Sequence, residues 1–243
     1  MKSIIVIPTY NEKETLAPLV GALFTLGVTG LEVIVVDDSS PDGTDDEVEK
    51  LRKTHPIYLI RRQRKLGLGS AYISGFKKAL ALGADYIFEM DADFSHDPND
   101  VPRLLQAAEQ GADLVIGSRR VIGGKIKGWN WRRHLTSYAA TILARWLLKL
   151  KTRDVTAGFR CFRRRVLEHI NLDAITSNGY AFQEELLYRT EQAGFRVAEI
   201  PVTFTDRRQG KSKLSNKDVW EFFLTMWRLK KGRRCDAQRK ALI

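Results

Sequence analysis

Tyr86-Ile87-Phe88-Glu89-Met90-Asp91-Ala92-Asp93-Phe94-Ser95 is the stretch on which the reading of this chain turns. Tyr86-Ile87-Phe88 is a short apolar run of the kind that forms a buried strand. It leads directly into two carboxylates one residue apart. Alternate residues of a strand point the same way, so Asp91 and Asp93 share a side in extended chain, and a bent strand end still keeps both within reach of one cation. Hard oxygen ligands of this type hold Mg²⁺ or Mn²⁺, with substrate phosphates completing the shell. The pattern is therefore half of a site that handles a diphosphate. Asp-x-Asp after a strand is equally an ordinary polar turn, and the surrounding chain has to separate the two readings.

Working outward, short β-branched runs alternate with helical stretches. Ile4 to Ile7, Val33 to Val36, Ile57 to Ile60, Tyr86 to Phe88 and Leu114 to Ile116 have strand character. Between them Glu14 to Leu26, Thr44 to Lys53, Gly69 to Leu82 and Pro98 to Gln110 carry helical apolar spacing. This rhythm predicts an α/β fold, a doubly wound and mostly parallel sheet with helices on both faces. Ligands of such sheets sit outside the carboxyl ends of the strands. Pro8-Thr9-Tyr10-Asn11-Glu12, Asp37-Asp38-Ser39-Ser40 and Asp91-Ala92-Asp93 all follow strands, so three loops converge on that edge. Some of these residues are helix caps and turn formers. Tyr10, Glu12 and Asp38 go beyond capping, because an aromatic face beside carboxylates suits a nucleotide base and a ribose diol. Lys65-Leu66-Gly67-Leu68-Gly69-Ser70 opens a helix, a place where backbone N–H groups meet an anion. It has neither the Lys-Ser/Thr ending of a P-loop nor the third glycine of a dinucleotide fingerprint.

Seven segments occur in order: Pro8 to Glu12, Val36-Asp37-Asp38-Ser39-Ser40-Pro41-Asp42-Gly43-Thr44, Lys65 to Tyr72, Met90-Asp91-Ala92-Asp93-Phe94-Ser95-His96, Gly117-Ser118-Arg119, Asp154-Val155-Thr156-Ala157-Gly158-Phe159-Arg160, and Asp206-Arg207-Arg208-Gln209-Gly210-Lys211-Ser212-Lys213-Leu214. Together they resemble the family-2 glycosyltransferases, specifically the dolichyl-phosphate (polyprenyl-phosphate) mannose synthases, over residues 4 to about 215. The resemblance implies the glycosyltransferase A (nucleotide-diphosphosugar transferase) fold. It also implies inverting transfer of a sugar, typically mannose from GDP-mannose, to a polyprenyl or dolichyl monophosphate; a polyprenyl-phosphate glucose synthase with a UDP-glucose donor, or another family-2 sugar transferase, is the alternative. By position, Pro8, Tyr10, Glu12, Val36 and Asp38 match the nucleotide pocket, and Asp91, Ala92 and Asp93 the metal and diphosphate loop. Arg119, Arg207 and Lys213 match the phosphate-binding basic residues. Arg133 joins them as a candidate for the acceptor phosphate, which guanidinium groups hold in bidentate fashion. Some relatives carry Gln where this chain has Ser95, so Asp91 and Asp93 alone are assigned to Mg²⁺ or Mn²⁺. Asp154 and Glu185 are read either as contacts to sugar or acceptor, or as a helix cap and an ion-pair partner.

Composition agrees. The chain of 243 residues is 44% hydrophobic, enough for a full core, and its formal charge of +11 draws it to anions. No nucleic-acid motif occurs, and the aromatics do not interleave with the basic clusters as a stacking platform requires. Cys161 and Cys235 have no metal-ligand spacing and form no disulfide framework. The opening run Ile4-Ile5-Val6-Ile7 reads as a strand, not a signal peptide, and no uninterrupted apolar stretch reaches the roughly 18 to 20 residues that cross a bilayer.

Two helical stretches bear on membranes. Leu135 to Leu150 is apolar apart from Arg145, Lys149 and a few hydroxyls, which suits either core or a bilayer surface. Val219 to Leu229 carries Trp220, Phe222, Phe223, Met226 and Trp227 and runs into a basic tail, which fits an anionic membrane surface. The expected organisation is a catalytic domain over 1–215, with a nucleotide-binding half (1–120) and an acceptor-binding half (121–215), then an amphipathic helix and basic tail over 216–243. The expected location is peripheral, on the cytoplasmic face of a membrane, bound directly or through a small membrane subunit.

Overall fold

All five apolar runs are strands in the computed structural model, which describes residues 1–177, 179–206 and 222–231. They are β1 (Ser3–Thr9), β2 (Leu31–Asp37), β3 (Ile57–Arg61), β4 (Tyr86–Glu89) and β5 (Leu114–Ser118). The helices between them are α1 (Lys13–Phe24), α2 (Thr44–Leu51), α3 (Leu68–Ala81) and α4 (Val101–Glu109). The stretch expected to be one helix from Pro98 instead begins as a 3-10 turn, Pro98–Asp100, capped by the Asp97 carboxylate accepting from the Asn99 N–H.

The remainder supplies β6 (Lys125–Lys127), α5 (Trp131–Leu148), β7 (Arg160–Arg163), α6 (Arg164–His169), α7 (Gly179–Gln192), β8 (Val197–Pro201), β9 (Thr203–Thr205) and α8 (residues 222–231). The main sheet has the order β3-β2-β1-β4-β7-β5-β8. It is parallel except at β7, which runs antiparallel to both β4 and β5. A strand from the second half of the chain thus lies between two strands of the first, and both halves share one sheet. β6 and β9 form a separate two-stranded parallel pair.

Strand alternation divides the core into two layers. Ile4, Val6, Ile34 and Val36 pack with α3, α5 and α7 on one face; Ile5, Ile7, Val33 and Val35 pack with α1 and α4 on the other. α3 lies so close to the sheet that a Cβ on Gly75 would come within 2.2 Å of Val6 Cγ1, which is why glycine stands there. This packing fixes the carboxyl ends of β1, β2, β4 and β5 as a rigid rim for the loops that follow.

Candidate active site

The loops after β1, β2 and β4 all contain strained backbone. Asn11 (φ 62°), Ser39 (φ 56°) and Phe94 (φ 58°) are three of the four non-glycine residues with positive φ among the described residues. Such conformations cost energy and collect at functional sites. At β4 the strain is supported by hydrogen bonds: the Ser95 N–H donates to Asp93 Oδ1 (3.0 Å), and the Thr205 N–H donates to the Ser95 carbonyl (3.1 Å).

Asp91 and Asp93 stand at the mouth of this loop, with the methyl of Ala92 packed into the core between them. Tyr72 donates its hydroxyl to Asp91 Oδ1 (3.2 Å), and His96 Nε2 lies 3.7 Å from Asp91 Oδ2. Tyr72 is itself clamped between Phe76 and Phe182. Burial first, and the nearby Asp91 charge second, push the Tyr72 phenol well above its ordinary range, so it acts as a donor to Asp91. Among the described residues no group of three or more His, Cys, Asp or Glu side chains could hold a metal. The pair of hard oxygen donors fits a divalent cation that takes its remaining ligands from a diphosphate and water. The Ser95 side chain is buried.

After β1, Tyr10 is exposed and the Lys65 ammonium sits 3.6 Å from its ring centroid. Pro8 and Glu12 are partly exposed beside it, with Glu12 Oε2 accepting from the Thr15 hydroxyl. Two of the expected contact residues have side chains engaged within the protein. The Val36 side chain is fully buried, because strand alternation turns it to the α3 face beside Gly75. Asp38 does not present its carboxylate to a base. It receives the Leu66 and Gly67 N–H groups (3.2 and 3.3 Å) and pairs with Arg62 (3.0 Å). The glycine loop after β3 does meet an anion, and that anion is Asp38.

The basic residues divide in the same way. Arg119 follows β5 and is held by Asp154 through Nε (2.8 Å), Nη2 (2.7 Å) and its backbone N–H (2.8 Å), with Thr156 as a further acceptor. Burial pushes the Asp154 carboxyl up, but the Arg119 charge and hydrogen bonds outweigh it and hold it below the ordinary range. Arg133, in the first turn of α5, pairs with Asp206 (2.8 Å) and lies 4.3 Å from the Trp129 ring centroid. Glu185 accepts from Ser177, Arg189 and Arg228, so it is an ion-pair partner that joins α7 to α8. Arg207, Lys213, Trp220 and most of 216–243 lie outside the described residues.

Phe204 joins the two sides. Its ring contacts His96 (5.7 Å), which stands beside Asp91, and also Trp129 (5.8 Å) and the Arg119 guanidinium (5.4 Å). The carboxylate loop and the arginines are therefore walls of one site. Beneath it lies the buried pair Glu89 and Arg160, 3.7 Å apart. Burial raises the Glu89 carboxyl to about 8 although Arg160 pulls it down. His96, Tyr72, Phe204 and Trp129 were not singled out from the sequence; the only available signal was that His96 and Tyr72 fall within the quoted segments.

The model of glycosyl transferase family 2 matches residues 4–170. A polyprenol monophosphomannose synthase of Mycolicibacterium smegmatis is 44% identical over 90% of this chain and 83% of its own length. An undecaprenyl-phosphate mannosyltransferase of Micrococcus luteus is 45% identical over 94% of this chain and 93% of its own. Among solved structures, glucosyl-3-phosphoglycerate synthase of Mycobacterium tuberculosis, bound to Mn²⁺, UDP and product, superposes with a TM-score of 0.69 at 20% identity, covering 95% of this chain and 80% of that one. That likeness establishes the glycosyltransferase A fold. With the family model matching more than half its length and close relatives covering nearly all of it, the chain belongs to glycosyl transferase family 2 and is a glycosyltransferase.

Proposed function

We propose that the protein transfers mannose from GDP-mannose to a polyprenyl or dolichyl monophosphate, with inversion at the anomeric carbon, giving a polyprenyl-phosphate mannose used for glycan assembly. The observation that carries this reading is the Phe204 bridge, which sets the Asp91 side of the site against Arg119 and Trp129. The relatives named above, as mannose transferases acting on polyprenyl phosphates, support the same assignment.

Residues up to 120 take the nucleotide and the following half takes the acceptor. Tyr10 offers an accessible ring face to the base, beside Pro8 and Glu12. Asp91 and Asp93 would hold Mg²⁺ or Mn²⁺, which when bound neutralises the charge developing on the leaving diphosphate. Tyr72 and His96 orient Asp91 from behind. The acceptor phosphate has a second pKa of about 6 and is largely dianionic at neutral pH. It is already a nucleophile, so the protein needs no general base and works by positioning and charge stabilisation. Arg133, with Arg207 and Lys213, supplies the cations for that phosphate.

The acceptor is a lipid, and the surface beside the arginines suits one. Trp131, Leu135, Tyr138, Ile142 and Trp146 recur at helical spacing along α5, and all are 47% to 72% exposed. The opposite side of α5 buries Thr141, Ala144 and Leu148, so the helix is core on one face and open on the other. α8 buries Phe222, Met226 and Leu229 while exposing Phe223, Leu224 and Trp227. Lys230 lies 5.5 Å from the Trp146 ring, placing the two helices side by side. Aromatic side chains flanked by lysines fit the headgroup region of an anionic leaflet. No helix of the described residues is long and apolar enough to cross a membrane. The exposed aromatic faces of α5 and α8 support a peripheral position on a membrane, and the leaflet proposed is the cytoplasmic one.

The test is a donor and acceptor screen with Mg²⁺ or Mn²⁺, labelled GDP-mannose or UDP-glucose, and a short polyprenyl phosphate. Label from GDP-mannose should enter the organic phase. Label from UDP-glucose alone would replace mannose by glucose, and no lipid-linked label from either donor would end the reading.

A further inference from the structure

Arg133 and Asp206 are each anchored through the backbone, yet their side chains meet through a contact that a ligand can displace. The Arg133 N–H donates to the Asn130 side chain (2.9 Å), which caps α5. The Asp206 N–H donates to the Lys127 carbonyl (2.9 Å). A Cβ at Gly128 (φ +89°) would stand 2.8 Å from Asp206 Cβ, so glycine is what lets the two segments approach this closely. Between these fixed points Arg133 Nη1 donates to Asp206 Oδ2 at 2.8 Å, with the side chains 31% and 30% exposed. The Trp129 ring backs the guanidinium.

We infer that Asp206 is an exchangeable counter-ion for the acceptor site: it occupies Arg133 in the empty enzyme, yields to the acceptor phosphate, and returns when the product forms. The inference rests on the acceptor reading of Arg133. Its basis is the charge balance of the transfer. A phosphate oxygen of the acceptor bonds to the anomeric carbon as the bond from that carbon to the diphosphate oxygen breaks. The electron pair leaves with the diphosphate, and no proton has to move. The acceptor thereby changes from a dianionic phosphomonoester to a monoanionic phosphodiester. A single carboxylate competes poorly for Arg133 with two negative charges and far better with one. Asp206 thus weakens the hold on both ligands by a common factor, so that the monoanionic product, already held less tightly, leaves readily.

Asp206→Asn keeps the shape and removes the charge. With saturating donor, the acceptor KM and the inhibition constant of the lipid-linked product should fall together, by about two- to five-fold for a pair this exposed. The donor KM should not move. Asp206→Glu, which retains the charge, should shift both constants back toward the parent values. A rise in acceptor KM in Asp206→Asn would show that Asp206 holds Arg133 in place, and unmoved constants would show that it does not engage the site; either overturns the inference. If the parent enzyme transfers no sugar to polyprenyl phosphate, the acceptor reading itself falls and the exchange with it. Transfer with unmoved constants refutes the exchange alone.

Discussion

Arg119 and Arg133 both lie against the Trp129 ring, 5.7 and 4.3 Å from its centroid, each paired with an aspartate, but the two pairs sit in different media. Arg119 and Asp154 are 9% and 0% exposed and share several hydrogen bonds, including one from the Arg119 backbone. Arg133 and Asp206 are about three times more open than Arg119 and share a single hydrogen bond. In a dry setting a charge cannot lose its partner without a large desolvation cost, so the first pair is scaffold. In a wet setting the partner can be exchanged at little cost. Two arginines that look alike as phosphate ligands in the sequence are therefore held differently, and on the reading proposed above Arg119 fixes the wall while Arg133 meets the acceptor phosphate.

The strongest way to break this contrast is Asp154→Ala, which strands Arg119 without its carboxylate. We expect a loss of about 3 to 5 kcal/mol in chemical denaturation; a loss below 1 kcal/mol would make the two pairs equivalent. Glu89 and Arg160 extend the series to complete burial. Because the Glu89 carboxyl is raised from 4.5 to about 8, its stabilising contribution is fully present below 4.5 and is lost as pH rises through 8. Stability should fall across that window with a slope of up to about 1.4 kcal/mol per pH unit from this one group. Glu89→Gln should flatten the fall, measured as urea midpoints at pH 6 and 8.5; an equally steep fall in the variant refutes the assignment. Arg133→Ala should change stability by less than about 1 kcal/mol while raising the acceptor KM roughly ten-fold, which corresponds to about 1.4 kcal/mol of lost binding. An unchanged acceptor KM would remove Arg133 from the site. The smallest effect on folding is expected at the exposed helix face: Trp146→Glu should alter stability by no more than about 0.5 kcal/mol yet weaken sedimentation with anionic vesicles. Undiminished sedimentation would detach α5 from the membrane proposal.

The first half of the fold was legible because each strand there is a self-contained apolar run and each helix carries its own period, as in Ile4 to Ile7 followed by Glu14 to Leu26. The strand β7 was not. Arg160-Cys161-Phe162-Arg163 has a charge at each end, and only a fully buried Arg160, bonded to the carbonyls of Val155, Ala157 and Gln183, makes it a central strand. The acidic loop was readable as a loop after a strand. The orientation of Asp91 was not, since Tyr72 and His96 reach it by packing. Motif position also did not reveal the side-chain surroundings of Val36 and Asp38: one is turned by alternation into the core, the other engaged by a neighbouring loop. Burial and pairing are properties of the assembled sheet, and no local pattern encodes them.

The central claim is that Asp91 and Asp93 serve a donor diphosphate facing a polyprenyl phosphate. The most direct measurement compares the parent with Asp93→Asn for transfer of labelled mannose from GDP-mannose to a short polyprenyl phosphate, across a titration of Mg²⁺ or Mn²⁺. The account predicts metal-dependent label in the organic phase for the parent and a loss of about a hundred-fold or more in the variant, the scale seen when one charge-stabilising group is removed. Equal transfer by parent and variant, unaffected by chelation of the metal, would contradict it.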